Sequence, residues 1–176
     1  MAKRTNNRND KEMRAQSRNT FLAFVIIFGL MALFTRYFIF EIHYVSTSAM
    51  APAYEKGSIV VMLKHDVDMD KISRGDVVLS YFGSAEGKYL RRISGVPGDL
   101  IDVREDGKYL VYTDDQGIMR QKALGDAPAL VYGEIPEGAY LLLSDNLEAN
   151  ADDSRTLGLI YQTDISARPD ITLWPL

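Results

Sequence analysis

From Phe21 to Phe34 the chain reads FLAFVIIFGLMALF, fourteen residues without a charge or a hydrogen-bonding side chain. Such a run leaves three choices: a helix in lipid, a helix buried in protein, or the core of a leader that is cut away. Spanning ~30 Å of hydrocarbon takes ~20 residues. Thr35, Arg36, Tyr37 and Phe38 extend the run, with a guanidinium that can snorkel and rings that suit an aromatic belt. A buried core helix would show a polar face, and this run has none. A cleaved leader would place small residues directly after the run. Here Arg36-Tyr37-Phe38-Ile39-Phe40 follow, and Ala49-Met50-Ala51 comes too far downstream. The sequence therefore predicts one transmembrane helix over residues 20–37.

Charge orients that helix. Residues 1–19 hold Lys3, Arg4, Arg8, Lys11, Arg14 and Arg18 against Asp10 and Glu12, a balance of +4. The whole chain of 176 residues carries −4, so the remainder carries −8. A basic flank before an apolar helix predicts a cytoplasmic tail at 1–19 and an extracytoplasmic body at 38–176 in a single-pass protein of the cell membrane. The polar stretch Asn6-Asn7-Arg8-Asn9-Asp10 is expected to be unordered. An acidic body gives no reason to expect a nucleic-acid partner. The absence of cysteine excludes a disulfide framework, a thiolate metal site and a cysteine nucleophile.

The body reads as short strands. Phe40, Ile42 and Tyr44 alternate with Glu41, His43 and Val45 at period two. Residues 58–63, 76–82, 88–94, 100–104, 109–112 and 139–143 are further strand-like runs, with Asp106-Gly107 and Gln116-Gly117 as hairpin-type turns. No segment of the body keeps a helical period. The fold class is mainly β: an antiparallel β domain behind one N-terminal transmembrane helix.

Three short motifs carry a resemblance. Ala49-Met50-Ala51-Pro52 follows the anchor, Arg91-Arg92-Ile93-Ser94-Gly95-Val96-Pro97-Gly98-Asp99 stands in mid-chain, and Ser144-Asp145-Asn146 leads to Asp153-Ser154-Arg155. In order and spacing the chain resembles the type I signal peptidases, membrane-anchored serine proteases that remove signal peptides. Gly75-Asp76-Val77-Val78, Ala167-Arg168 and the ending Trp174-Pro175-Leu176 are also similar to that family. The resemblance implies the signal-peptidase-type β domain. It also implies a serine nucleophile where Ala49 stands and a lysine base where Arg91 stands. The third motif is one residue longer than the family's, with Ala149 and Ala151 at positions expected to be polar.

A Ser–Lys dyad needs a hydroxyl to attack and a neutral amine to take its proton. Alanine offers no nucleophile, and arginine stays protonated. No catalytic residue is therefore intact. Ser48, one residue from Ala49, is expected to face away in an extended segment, and Lys88, at an odd offset from Arg91, likewise. Thr47, Ser48, Met50 and Pro52 are the expected peptide-groove residues, with Thr47 at the position whose hydroxyl can serve an oxyanion in the family. A bulky charge in place of Ala49 is expected to block that groove without unfolding the body. The resemblance assigns Arg92, Asp153, Ser154 and Arg155 to the scaffold, with Arg92, Asp153 and Arg155 as one ion-pair cluster. His43 and His65 are isolated. The acidic loop Asp145, Asn146, Glu148, Asn150, Asp152 and Asp153 lacks the glycine and spacing of an EF-hand, so neither metal nor cofactor is expected.

Proteins resembling signal peptidases but lacking the dyad serve as accessory factors in building sortase-linked pili of Gram-positive bacteria. The leading expectation is thus a non-catalytic assembly chaperone, with the membrane and pilin subunits or a sortase as partners. The alternatives are an active signal peptidase represented by a variant chain, and a self-cleaving repressor-type peptidase. The anchor and the Trp174-Pro175 ending argue against the last.

Overall fold

A computed structural model describes residues 2–64, 72–83, 85–149 and 151–173, with the backbone alone for 2–15. His65, Asn150 and the Trp174-Pro175-Leu176 ending lie outside the described residues. The chain divides into two compact units, Met1–Ile39 and Phe40–Leu176.

The first unit is one helix, α1 (Ala2–Phe38). Its segment Gln16–Phe38, 23 residues, is long and apolar enough to cross a membrane. The helix begins far before residue 20 and takes in the tail expected to be unordered. Once a turn is nucleated, each added residue costs little. Lys11, Glu12, Met13, Arg14, Ala15 and Gln16 are all good helix formers.

Among the described residues, the second unit is built on eleven strands. A seven-stranded sheet has the order β1-β2-β11-β3-β4-β9-β10 and a four-stranded sheet the order β7-β6-β5-β8. The strands are β1 (Phe40–Tyr44), β2 (Ile59–Leu63), β3 (Val77–Tyr81), β4 (Lys88–Gly95), β5 (Leu100–Arg104), β6 (Gly107–Thr113), β7 (Met119–Gly125), β8 (Gly133–Glu134), β9 (Ala139–Leu143), β10 (Ile160–Tyr161) and β11 (Ile165–Leu173). Every pairing is antiparallel. One short helix, α2 (Ser154–Leu157), interrupts the strands.

Period two puts alternate residues of β3 on opposite faces. Leu79 joins Val45, Met50, Val60, Met62, Leu90 and Ala167 in one core cluster. Val78 joins Phe82, Ile93, Tyr140, Leu142, Ile160 and Ile165 in another. A third cluster, with Ile101, Leu110, Leu124, Ile135 and Leu141, joins the smaller sheet to β9.

Two features of the pairing shape the site. Strand β9 pairs with β4 only from Arg92 onward, Arg92 opposite Leu143 and Ile93 opposite Leu142. Residues 88–91 of β4 therefore pair with β3 on one side, and among the described residues no strand takes the other side. In β1, Glu41 and His43 are half-buried, while Ile42 and Tyr44 are 52% and 59% exposed. The register sets Ile42 opposite Val61 and Tyr44 opposite Ile59, with Ile171 and Leu173 of β11 across from the same two residues. This outer face is apolar and uncovered within the second unit.

Candidate functional site

A groove of about 420 Å³ lies along the open edge of β4, lined by residues of three separate segments. His43, Val45, Ser46, Thr47 and Met50 form one wall, Glu86 and Lys88 to Arg91 the other, and Ala149, Ala151 and Asp152 an end.

The three motifs meet here because the loop 144–155 bonds to both others. Asn146 N donates to Ala49 O at 2.9 Å. Arg91 Nε and Nη2 both donate to Asp152 O, at 2.9 and 2.6 Å, and Arg91 Nη1 donates to Leu90 O at 2.6 Å. Arg92 holds Asp145 through two bonds, at 2.7 and 2.6 Å.

Ala49 is fully buried and does not line the groove. A glutamate placed there would sit in the core, so the expectation that a charge at Ala49 blocks the groove without unfolding the body does not survive the geometry. Thr47 is exposed and lines the groove, and its Oγ1 accepts a 3.4 Å bond from Ala49 N. Met50 is shared between groove and core. Ser48 and Pro52 are exposed and stand outside the groove lining.

Arg91 is only 5% exposed. Burial is the main force lowering its pKa, opposed by the nearby Asp153 and Asp152. It stays protonated, because guanidinium does not lose its proton in proteins. A lysine reaching this position in a protease must do the opposite and present a neutral amine.

Lys88 does not turn away. Its ammonium pairs with Glu41 of β1, and both line or flank the groove. The parity argument fails because β4 has an open edge at 88–91, and a long side chain at an edge reaches the space beside the strand from either face. Burial alone would lower the Lys88 pKa, but its bonds to Glu41 and Tyr81 outweigh this and raise it. His43, half-buried in the opposite wall, has a lowered pKa. Burial is the main cause, Glu41 opposes it, and Lys88 and Arg91 add to it. Alternation in β1 already placed Glu41 and His43 on one face; what it lacked was any sign that β4 comes near.

The scaffold residues form two pairs in place of one cluster. Arg92 pairs with Asp145, and Arg155 pairs with Asp153. Asp153 is fully buried and caps α2. Its carboxylate accepts from Ser144 N at 3.1 Å, from Arg155 N at 3.0 Å and from the Arg155 guanidinium at 2.9 Å. The neighbouring Ser154 Oγ accepts from Leu142 N of β9 at 2.9 Å. Among the described residues no ion pair joins Arg92 to Asp153 or Arg155 to Asp145. Among the described residues no group of three or more His, Cys, Asp or Glu side chains is placed to hold a metal ion.

Comparison with known proteins finds the same family that the three motifs resemble. A family model described as "Signal peptidase, peptidase S26" matches residues 17–174. "Signal peptidase I T" of Bacillus subtilis (strain 168) is 26% identical over 181 residues, covering 96% of this chain and 93% of the relative. "Signal peptidase IB" of Staphylococcus aureus (strain Mu50) is 29% identical over 171 residues, covering 88% and 85%. A crystal structure of a signal peptidase I from Enterococcus faecalis V583 superposes with a TM-score of 0.38 at 20% identity, over 56% of this chain and 96% of that one.

Proposed function

Because this chain belongs to the signal peptidase family, peptidase S26, a missing hydroxyl and a missing amine are departures from a protease, and we propose that it binds an extended segment in its groove without cutting it. The observation that carries this reading is the residue pair at the two dyad positions of the motifs: Ala49 has no hydroxyl to attack a carbonyl, and Arg91, fastened to Asp152 O, keeps a cation where the family's lysine accepts a proton.

The open edge of β4 supports the binding half of the reading. Unpaired backbone groups beside a groove accept an added strand, with main-chain bonds giving affinity and the walls giving selectivity. Apolar residues Val45, Met50, Leu90, Ala149 and Ala151 offer such walls. We assign the protein to the accessory factors of pilus assembly, anchored by α1 with its N-terminus in the cytoplasm and its β domain outside. Pilin subunits or a sortase are its partners. The lost dyad and an apolar helix near the N-terminus are the features that support this assignment.

Two experiments test this. The full chain in detergent, incubated with a preprotein substrate, releases no signal peptide, and Ala49→Ser alone does not change that because Arg91 remains charged. Restoring Arg91→Lys in addition supplies a group able to give weak activity. Turnover by the wild-type chain would return the protein to the enzymes. In the cell, deletion of the gene is expected to remove pilus polymers from a cell-wall blot. Unchanged polymers in the deletion strain would refute the pilus assignment and leave the groove reading in place.

A further inference from the structure

One group in the groove is charged and buried and has no ion-pair partner among the described residues. No carboxylate of the described residues lies within ion-pair distance of Arg91, whose bonds go to the carbonyls of Asp152 and Leu90. Guanidinium has five N–H donors. Among the described residues three are engaged, and two, one on each terminal nitrogen, have no described partner. Of the two carboxylates whose field reaches it, Asp153 is already bound by Arg155, and Asp152 holds it through the main-chain carbonyl. Val45, Met50, Leu90, Ala149 and Ala151 give the groove an apolar part, and its other cation, Lys88, is already paired with Glu41. Arg91 is thus the groove cation left without a carboxylate partner among the described residues, and a guanidinium suits an anion with two acceptor oxygens.

The same place is where an added strand must stop. The edge of β4 is open at residues 88–91 and is taken by β9 from Arg92 onward. Beyond Arg91 the loop is fastened down through Asp152 O. A chain laid along the open edge ends there or turns away. From these two facts, and resting on the reading of the groove as a strand-binding site, we propose that the groove receives the end of a chain: an extended apolar peptide running parallel to β4, its free C-terminal carboxylate paired with Arg91. An uncut chain would offer Arg91 only a neutral carbonyl and would have to leave the groove at that point. The occupant is therefore a chain that has already been cut, or a natural C-terminus.

The test uses the full chain in detergent and a labelled peptide of about eight alternating alanine and valine residues in three forms: free acid, C-terminal amide, and amide with one internal glutamate. Fluorescence anisotropy is expected to show the free acid binding roughly 10-fold or more tighter than either amide, the scale of a charge-assisted hydrogen bond. Arg91→Gln should bring the acid down to the amide, and Arg91→Lys should keep part of the difference. Because Arg91 also holds the loop, the wild-type ratio decides by itself if either variant fails to fold. Equal binding of acid and plain amide would overturn the carboxylate inference while leaving the strand-binding reading. An internal glutamate equal to the free acid would overturn the chain-end assignment. No binding of any form would remove the strand-binding reading, and this inference with it.

Discussion

At the scale of single residues, burial separates side chains that look equivalent in the sequence. Asp153 is fully buried with three kinds of donor, whereas Asp145 is 17% exposed and its partner Arg92 33%. Asp153→Ala should therefore cost ~3–5 kcal/mol, because it strands Arg155 and the Ser144 amide. Asp145→Ala should cost about 1 kcal/mol in a partly solvated pair. Urea unfolding of the two variants checks the ratio, and equal losses would mean that burial does not set the difference. The Asp153 carboxyl also links stability to pH. Burial alone would raise its pKa, but the bonds from Arg155 and Ser144 outweigh this and hold it below the ordinary carboxylate value. A depressed folded pKa gives stability that is present above the unfolded value of ~3.9 and is lost as pH falls through the folded one. Acid unfolding of wild type should be steeper than that of Asp153→Asn. Ala49 and Thr47 form another contrasting pair. Ala49→Glu should unfold the body, while Thr47→Glu, on an exposed groove wall, should leave the melting temperature within a few degrees and abolish peptide binding.

Elements were legible in proportion to their hydrophobic pattern. Strands β5 and β9 lie where alternation and apolar runs put them, and β1 to β4 and β6 within a residue or two. Strands β7, β8, β10 and β11 were not read. In β7 only Leu124 is buried, so Met-Arg-Gln-Lys-Ala carries no face to read. Strand β11 contains Pro169, which argues against a strand between two neighbours; the structure accommodates it at a register shift against β2 between Pro169 and Ile171. The site was legible at Thr47, Met50 and Arg91, which the motifs singled out and which line the groove, whereas Ala49 and Asp153 stand outside its lining. It was illegible at Glu41, His43 and Lys88, whose importance comes only from β1 and β4 approaching each other. Gly95 shows how tightly one element is fitted. It sits at the shift where β4 turns to β9, and a Cβ there would meet Ile135 Cδ1 at 2.6 Å, Leu141 Cβ at 2.8 Å and Leu110 Cδ1 at 3.2 Å. Ile135 can swing aside but Leu141 Cβ cannot, so Gly95→Ala is expected to cost ~1–3 kcal/mol by overpacking the junction of the two sheets. A stability within 0.5 kcal/mol of wild type, by ~the resolution of such measurements, would show that the junction yields.

At the scale of the whole molecule, the proposed topology makes one demand: protease added to intact protoplasts should degrade residues 40–176 and spare the N-terminal segment. A protected body would reverse the orientation and place the groove in the cytoplasm. The outer face of the larger sheet has a separate consequence, and it concerns handling the domain at the bench. Ile42, Tyr44, Ile59, Ile171 and Leu173 are all more than 40% exposed, and they sit on neighbouring strands at a sheet edge that β1 leaves without a further strand among the described residues. An uncovered oily ribbon beside an unpaired edge is a template for self-association. A fragment cut at residue 40 should be colloidally unstable, sedimenting as dimers and larger species in plain buffer and as a monomer in mild detergent. Replacing Ile42 and Ile171 by lysine should cure the clumping and leave the fold intact, so the obstacle to crystallising the excised domain would be two surface isoleucines and not the groove.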